Sequence, residues 1–248
     1  MRNTLNIIGI SAIIATLLVG IGYASSIVQP KMVGSQWAVY EEPTLPNGNL
    51  NYYPGAHAMT NANGGVQFAM PMASSTNPVF VNYMLDTYTA SLNESSVITA
   101  SIAVDAPSGT TFMGNPLWTS DYGSPVVPTT VRLFIQSNLP NTNSATCTGG
   151  GNAYNYWWAH GTGAYTFTSG SQSQVLSASL NPADWSDICG TTANSSPAAQ
   201  AAFDDAIAHV KYVGLSFGSG YFFASGIGVN AIPAGGSANF VLNGYQVN

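Results

Sequence analysis

Apolar and polar residues alternate with a period of two through most of this chain. Ile98, Ala100, Ile102 and Val104 interleave with Thr99, Ser101 and Ala103. Val131, Leu133 and Ile135 interleave with Arg132, Phe134 and Gln136. Leu176, Ala178 and Leu180 interleave with Val175, Ser177 and Ser179, and Val213, Leu215 and Phe217 with Gly214 and Ser216. That period turns one face of each segment into a core and the other outward, as a strand does. Further strands are expected over 32–40, 66–72, 79–84, 154–159, 165–168, 221–229 and 238–247. Gly, Pro and Asn clusters separate them, such as Pro107-Ser108-Gly109 and Ala234-Gly235-Gly236. One stretch keeps the helical period instead. Ser196 is placed to cap it, Pro197 occupies its first turn, and Phe203, Ile207 and Val210 fall at i, i+4 and i+7. This predicts a helix over about 196–211 with Asp204 and Asp205 toward solvent, and Asn181 to Trp185 is expected to add a helical turn. About ten short strands and one lateral helix predict an all-β fold, an antiparallel jelly-roll β-sandwich.

The first thirty residues break the pattern. Arg2 precedes an uncharged apolar run over 7–22, and Gly22-Tyr23-Ala24-Ser25-Ser26 follows with small residues suited to a cleavage site. This is the layout of a secretory signal. The run is also close to the roughly 20 residues that cross a bilayer as a helix. Cleavage after Ala24 is the expectation, and a retained N-terminal apolar helix serving as a membrane anchor is the alternative. No cysteine follows the run, which excludes a lipoprotein anchor. The expected organisation is a signal at 1–24, an N-terminal extension at 25–65 lying across the sandwich, and a β-sandwich domain at 66–248. The stretch 138–152, with Gly149-Gly150-Gly151, reads as a long exposed loop.

Composition narrows the function. Charged residues are 6% of the chain, against about 25% in ordinary soluble domains. Beyond residue 24 only Lys31, Arg132 and Lys211 are basic, and three bases against ten acids leave a net charge of −7. Nucleic-acid binding and a polybasic contact with anionic lipid are excluded, since both need clustered Lys or Arg. Few carboxylates must be protonated as pH falls, so acid tolerance is expected. Hydrophobic residues at 46% suffice for a core and exclude a disordered chain. The two cysteines, Cys147 and Cys189, are read as one disulfide in an oxidising compartment. It would close a loop of roughly 40 residues and contribute about 3–4 kcal/mol.

Four segments carry a resemblance to a known family. They are Leu92-Asn93-Glu94-Ser95-Ser96-Val97-Ile98-Thr99-Ala100-Ser101-Ile102, Val131-Arg132-Leu133-Phe134-Ile135-Gln136, Val213-Gly214-Leu215-Ser216-Phe217-Gly218-Ser219-Gly220 and Ala238-Asn239-Phe240-Val241-Leu242-Asn243-Gly244-Tyr245. Together, over about residues 78–248, they resemble the galactose-binding-like jelly-roll carbohydrate-binding modules. In that family a late strand with a hydrophobic-Gly-hydrophobic pattern leads to a final strand that closes the sheet. The resemblance implies a jelly roll that binds glycan and transfers no ligand residues, because those vary among members.

The chemistry in the chain points the same way. Gly214-Leu215-Ser216-Phe217-Gly218 matches the G-x-S-x-G pattern but sits in an alternating strand. No Asp, Glu or His follows His209, so the hydrolase order of Ser, acid and His is not met. His57, His160 and His209 share no ligand spacing, and no metal site is assigned. Glu94, Asp105, Asp121, Asp184 and Asp187 offer no pair with a glycosidase context. Asp86, Asp121, Asp184 and Asp187 are the oxygen ligands that a structural calcium would use; no other cofactor is expected.

The patch Tyr154-Asn155-Tyr156-Trp157-Trp158-Ala159-His160 is the leading ligand candidate. In a strand Tyr154, Tyr156 and Trp158 would share one face, with Trp157 and His160 nearby or opposite. Flat rings stack on the C–H faces of sugars, although buried aromatics are equally normal in sandwich cores. Trp118, with Asp121 and Tyr122, is a second candidate, and Arg132 is expected to pair with a buried acid or orient a ligand. Asn93 and Asn194 open intact N-x-Ser sequons, the second followed by Pro197.

Two readings result. The first is a secreted or cell-surface protein that binds carbohydrate, or another cell-surface component, without catalysis. The second is a structural subunit of an extracellular filament, matrix or coat, with a copy of itself as partner and the strand at 32–40 donated to a neighbour's open edge. In either, contact with membrane is confined to the N-terminal segment if it stays uncleaved.

Overall fold

A computed structural model describes residues 37–43, 53–54, 59–62, 65–73, 79–88, 90–116, 128–138, 155–218 and 223–248. The N-terminal apolar segment, Trp118, Asp121, Cys147 and Tyr154 lie outside them, as does most of the loop expected at 138–152. The described strands are β1 (Trp37–Pro43), β2 (Tyr53–Pro54), β3 (Thr60–Ala62), β4 (Gly65–Ala69), β5 (Val79–Thr87), β6 (Val97–Asp105), β7 (Thr111–Gly114) and β8 (Thr130–Ser137). They continue with β9 (Tyr156–Ala159), β10 (Ala164–Thr166), β11 (Gln172–Ser179), β12 (Trp185–Asp187), β13 (Val210–Gly218), β14 (Ile227–Ala231) and β15 (Asn239–Val247). A helix, α1 (Pro197–Ala208), precedes β13. Among the described residues no helix is long and apolar enough to cross a membrane.

The strands form two sheets whose ladders are antiparallel. The larger runs β12-β9-β8-β13-β5-β1-β2, with β10 beside β8 and β14 joining β5 to β7; the smaller runs β11-β6-β15-β4-β3. Alternation decides which faces meet. In β6 Ile98, Ala100, Ile102 and Val104 are buried while the residues between them are partly exposed. They share a core with Phe68 of β4, Leu176 of β11 and Phe240 of β15, and across it with Leu133 of β8 and Leu215 and Phe217 of β13. Phe217 meets Phe240 edge-on at 4.9 Å and Phe68 at 6.1 Å. The two sheets therefore face each other as a β-sandwich over one apolar layer.

β1, β2 and β3 belong to the sheets, so this part of the 25–65 extension does not lie across the sandwich. β1 pairs along β5 with Trp37 opposite Asp86 and Tyr40 opposite Tyr83, so the part of the expected donor strand that is described is already paired within its own chain. The stretch expected as a strand over 221–229 begins only at Ile227; Phe223 to Gly226 turn across the sheet. The helical turn at Pro182–Asp184 is present and leads into β12, which alternation did not signal in only three residues.

Helix α1 starts as its cap dictates. Ser196 Oγ accepts the N–H of Ala199 at 3.1 Å, with Pro197 in the first turn. Phe203 packs edge-on against Trp157 at 5.0 Å and lies 6.1 Å from Trp185, closing one end of the core. Val210, expected on the helix face, opens β13 instead, because the helix ends at His209. The His209 N–H returns to the Ala206 carbonyl, and its ring lies 3.1 Å from the Asp205 carboxylate.

Asp86 and Asp187 are buried at 9% and 2% exposure. They share one transverse row of the inner face, Trp37–Asp86–Val213–Ile135–Trp157–Asp187. Four strand spacings, about 19 Å, separate them, so they cannot ligate one calcium ion, and Asp121 lies outside the described residues. Asp187 Oδ1 instead accepts the N–H groups of Cys189 and Thr191, both at 2.9 Å, and fixes the turn that carries Cys189.

Two outcomes follow. Phe203→Ala removes the ring that fills the space between Trp157 and Trp185 and should cost about 3–5 kcal/mol in chemical denaturation. Burial holds the Asp86 and Asp187 carboxyls above the ordinary Asp value of 3.8. The folded chain takes up those protons before the unfolded chain does, so each group adds stability as pH falls toward 3.8. In Asp187→Asn, and separately in Asp86→Asn, the stability difference from wild type should move in favour of wild type between pH 7 and pH 4. A difference that stays constant across that range would contradict this assignment.

Candidate functional site

The residues of the larger sheet that point away from the core do not face solvent as polar residues. Pairing sorts them into three rows: Thr87–Tyr212–Gln136–Tyr156, Ala38–Leu85–Gly214–Phe134–Trp158–Ser186 and Tyr40–Tyr83–Ser216–Arg132–Ala164. Leu85, Phe134, Trp158 and Ala224 form a second buried cluster on this outer face, and Tyr40, Tyr83, Tyr156, Tyr212, Ile188 and Phe223 lie half-buried over it. Phe134 anchors the cluster. Its ring is 5.0 Å from Tyr83 and 5.2 Å from Trp158, both tilted, and stacks on Tyr156 at 6.3 Å. Strands β8 and β13 are thus buried on both faces.

Gly214 holds the middle of the centre row. A Cβ there would stand 2.1 Å from the Met84 carbonyl oxygen, so the close approach of β13 and β5 admits only glycine.

One edge of the face is closed by the turn that follows β13. Ser216 Oγ donates to the Phe223 carbonyl at 3.0 Å, and Asn82 Nδ2 donates to the Ala224 carbonyl at 2.6 Å. The Phe223 ring meets Trp158 edge-on at 5.9 Å and His160 at 5.7 Å. Arg132 sets its guanidinium carbon 4.3 Å from the Phe223 ring centre and donates through Nη1 to the Ala159 carbonyl at 3.2 Å. His160 Nε2 is 2.7 Å from Ser186 Oγ. Burial, and then the Arg132 charge, push the His160 pKa down, against a smaller opposite pull from Asp184. The ring is therefore held neutral. Burial, and then Tyr212, raise the Tyr40 hydroxyl. The face thus presents neutral hydroxyls, one amide and one cation.

The structure divides the aromatic patch read from the sequence. Tyr156 and Trp158 belong to the outer face, as period two requires. Trp157 points inward, fully buried against Phe203, and Trp158 is fully buried beneath Tyr156 and Phe223. Neither indole is open to a ligand, so the direct stacking expected of Trp157 and Trp158 is corrected: both are packing residues. Tyr156 and His160 remain accessible. Arg132 has a carbonyl and a ring as its partners among the described residues, in place of the acid expected for it. Sequence alternation missed Tyr40, Tyr83, Tyr212 and Phe223. The signal was an aromatic at the outward parity of β1, β5 and β13, but it converges only once the strand order is known.

The remaining candidates are dispersed. Ser216 is buried in β13 with its hydroxyl held by Phe223, not poised as a nucleophile. Among the described residues no group of three His, Cys, Asp or Glu side chains is gathered for a metal. Asn194 shares an open polar groove with Glu94, Asn181 and Gln200, which brings the two sequons to one side of the molecule. Asn93 Oδ1 accepts the Ser95 N–H at 2.9 Å, whereas the Ser196 hydroxyl of the second sequon is occupied in capping α1.

No family model and no curated protein matches this chain. Among solved structures it is similar to the xylan-binding module CBM15, with a TM-score of 0.36 and 12% identity, over 87% of this chain and 95% of that one.

The burial pattern separates packing from surface rings. Trp157→Ala and Trp158→Ala should each cost about 3–5 kcal/mol of folding stability. Tyr83→Ala and Tyr156→Ala, whose rings are half-exposed, should cost about 1–2 kcal/mol. Equilibrium denaturation of the four variants checks the order.

Proposed function

We propose that this protein is a secreted or cell-surface jelly-roll sandwich that binds carbohydrate, without catalysis, on the outer face of its larger sheet. In this reading residues 1–24 are removed as a signal and Cys147 is bonded to Cys189. One observation carries it: four half-exposed tyrosines, Tyr40, Tyr83, Tyr156 and Tyr212, stand over a packed apolar base. A tyrosine offers a flat apolar ring to the C–H face of a sugar and a hydroxyl to its oxygens. The base holds the rings in place before a ligand arrives, so little side-chain entropy is lost on binding. Gln136, between Tyr212 and Tyr156 in its row, supplies an amide donor and acceptor within the same face.

The second reading, a self-assembling structural subunit, has one observation in its favour. β11 is the edge strand of the smaller sheet and carries no charge, and its Val175 is 61% exposed. Natural edges are usually blunted by charge, proline or a bulge. Thr162 and Trp185 cover only one end of it, donating to the Ser177 and Ser179 carbonyls at 2.6 and 2.8 Å.

A glycan array and insoluble-polysaccharide pull-down with the full chain, at pH 3 and pH 7, test the first reading. Saturable binding is expected, weakened about five- to tenfold in Tyr83→Ala and in Tyr156→Ala. Absence of binding at both pH values, together with concentration-dependent light scattering that Val175→Lys abolishes, would replace it with the second.

A further inference from the structure

Arg132 is the only arginine beyond residue 2, in a chain with ten acids. It stands in the row of the outer face that also holds Tyr40, Tyr83 and Ser216. Its surroundings compensate it incompletely. The Ala159 carbonyl takes one of its five N–H donors, and the Phe223 ring lies against its flat side. Neither partner carries a full negative charge, and burial already lowers its pKa. Asp184, whose charge acts on the neighbouring His160, receives the Ser179 hydroxyl at 3.1 Å. A desolvated cation with no acid as its partner among the described residues is costly, and the guanidinium fork matches a carboxylate through two parallel hydrogen bonds.

We infer that the glycan bound on this face carries a carboxylate, as a uronic acid does, and that Arg132 is the residue that selects it. This rests on the carbohydrate reading and adds the ligand's chemical class. The acidity of the whole chain narrows that class further. A polyuronate would be repelled along its length by a net charge of −6, whereas a neutral backbone with isolated uronates brings one charge to Arg132. Tyr40, Tyr83 and Tyr156 then take the neutral sugars and Arg132 takes the acidic one.

The test is a glycan array of matched oligosaccharide pairs, on several backbones, that differ by one uronic acid. Among pairs that bind the wild-type chain, the uronate member should bind about tenfold more tightly at 50 mM NaCl. That advantage should shrink at 1 M NaCl. In Arg132→Gln the ratio should fall close to one. In Arg132→Lys, which keeps the charge and loses the fork, part of it should remain. Should Arg132→Gln fail to fold by circular dichroism, Arg132→Lys and the salt dependence of the wild type decide. Pairs that bind equally in the wild type, or a ratio that survives Arg132→Gln, overturn the inference and leave the carbohydrate reading standing. If no member of any pair binds, both fall.

Discussion

Burial of the larger sheet on both faces is the constraint on which the rest of this structure depends. A sandwich needs its sheets covered on one side only. Here β8 and β13 are covered on both, by the shared core within and by the cluster around Phe134 without. Two central strands packed along their middle on both faces cannot slip in register without moving an aromatic into a place shaped for an aliphatic residue. Gly214 tightens this further, since the contact of its backbone with Met84 is possible in one register only. The outer cluster therefore does two things. It locks the pairing of β5, β13 and β8, and it supplies a rigid apolar base on which accessible tyrosines stand.

Much of the fold was legible because period two survives in the residues that face the core. Ile98 to Val104, Leu176 to Leu180 and Val213 to Phe217 alternate in the sequence and are buried as that alternation requires. The cap at Ser196 and the 203/207 spacing placed α1 for the same local reason. The outer face was legible only in fragments. Phe134 occupies what alternation marks as a solvent position, and nothing local explains a phenylalanine there. Tyr40, Tyr83, Phe134, Tyr156 and Tyr212 come from five strands spread over more than two-thirds of the chain, and only sheet order makes them neighbours. The run Tyr156-Trp157-Trp158 misled for the complementary reason. Alternation divided the run, with Tyr156 and Trp158 on one face and Trp157 nearby or opposite, but it could not show that Phe203 and Phe223 close over both indoles.

Scarcity of charge shapes both faces of the larger sheet. The hydroxyl of Tyr40 is pushed above its ordinary range, the His160 ring is held neutral, and Asp86 and Asp187 retain their protons more strongly than free carboxyls. Each shift has burial as its leading cause, and each favours the uncharged form. For Asp86 and Asp187 this opposes the usual course of acid unfolding. For His160 it acts the other way, because the unfolded chain protonates first as pH falls through 6.5. The two aspartates and the histidine thus act on stability with opposite sign as pH falls.

Against so neutral a background Arg132 is the dominant field on the outer face. In a surface rich in lysine and glutamate one half-compensated guanidinium would be one charge among many, screened and exchangeable. Here its partners among the described residues are a carbonyl and a ring, and at His160 its charge adds to the larger effect of burial in depressing the pKa. Under the proposed carbohydrate reading the tyrosines would discriminate ligands by shape and by the apolar faces of sugars, but not by charge. Selectivity of that kind has to come from the cation, and the contacts that hold Arg132 in place also hold Phe223 and the edge of the face. The same contacts therefore shape the surface and, under the proposed reading, would set the ligand charge it favours.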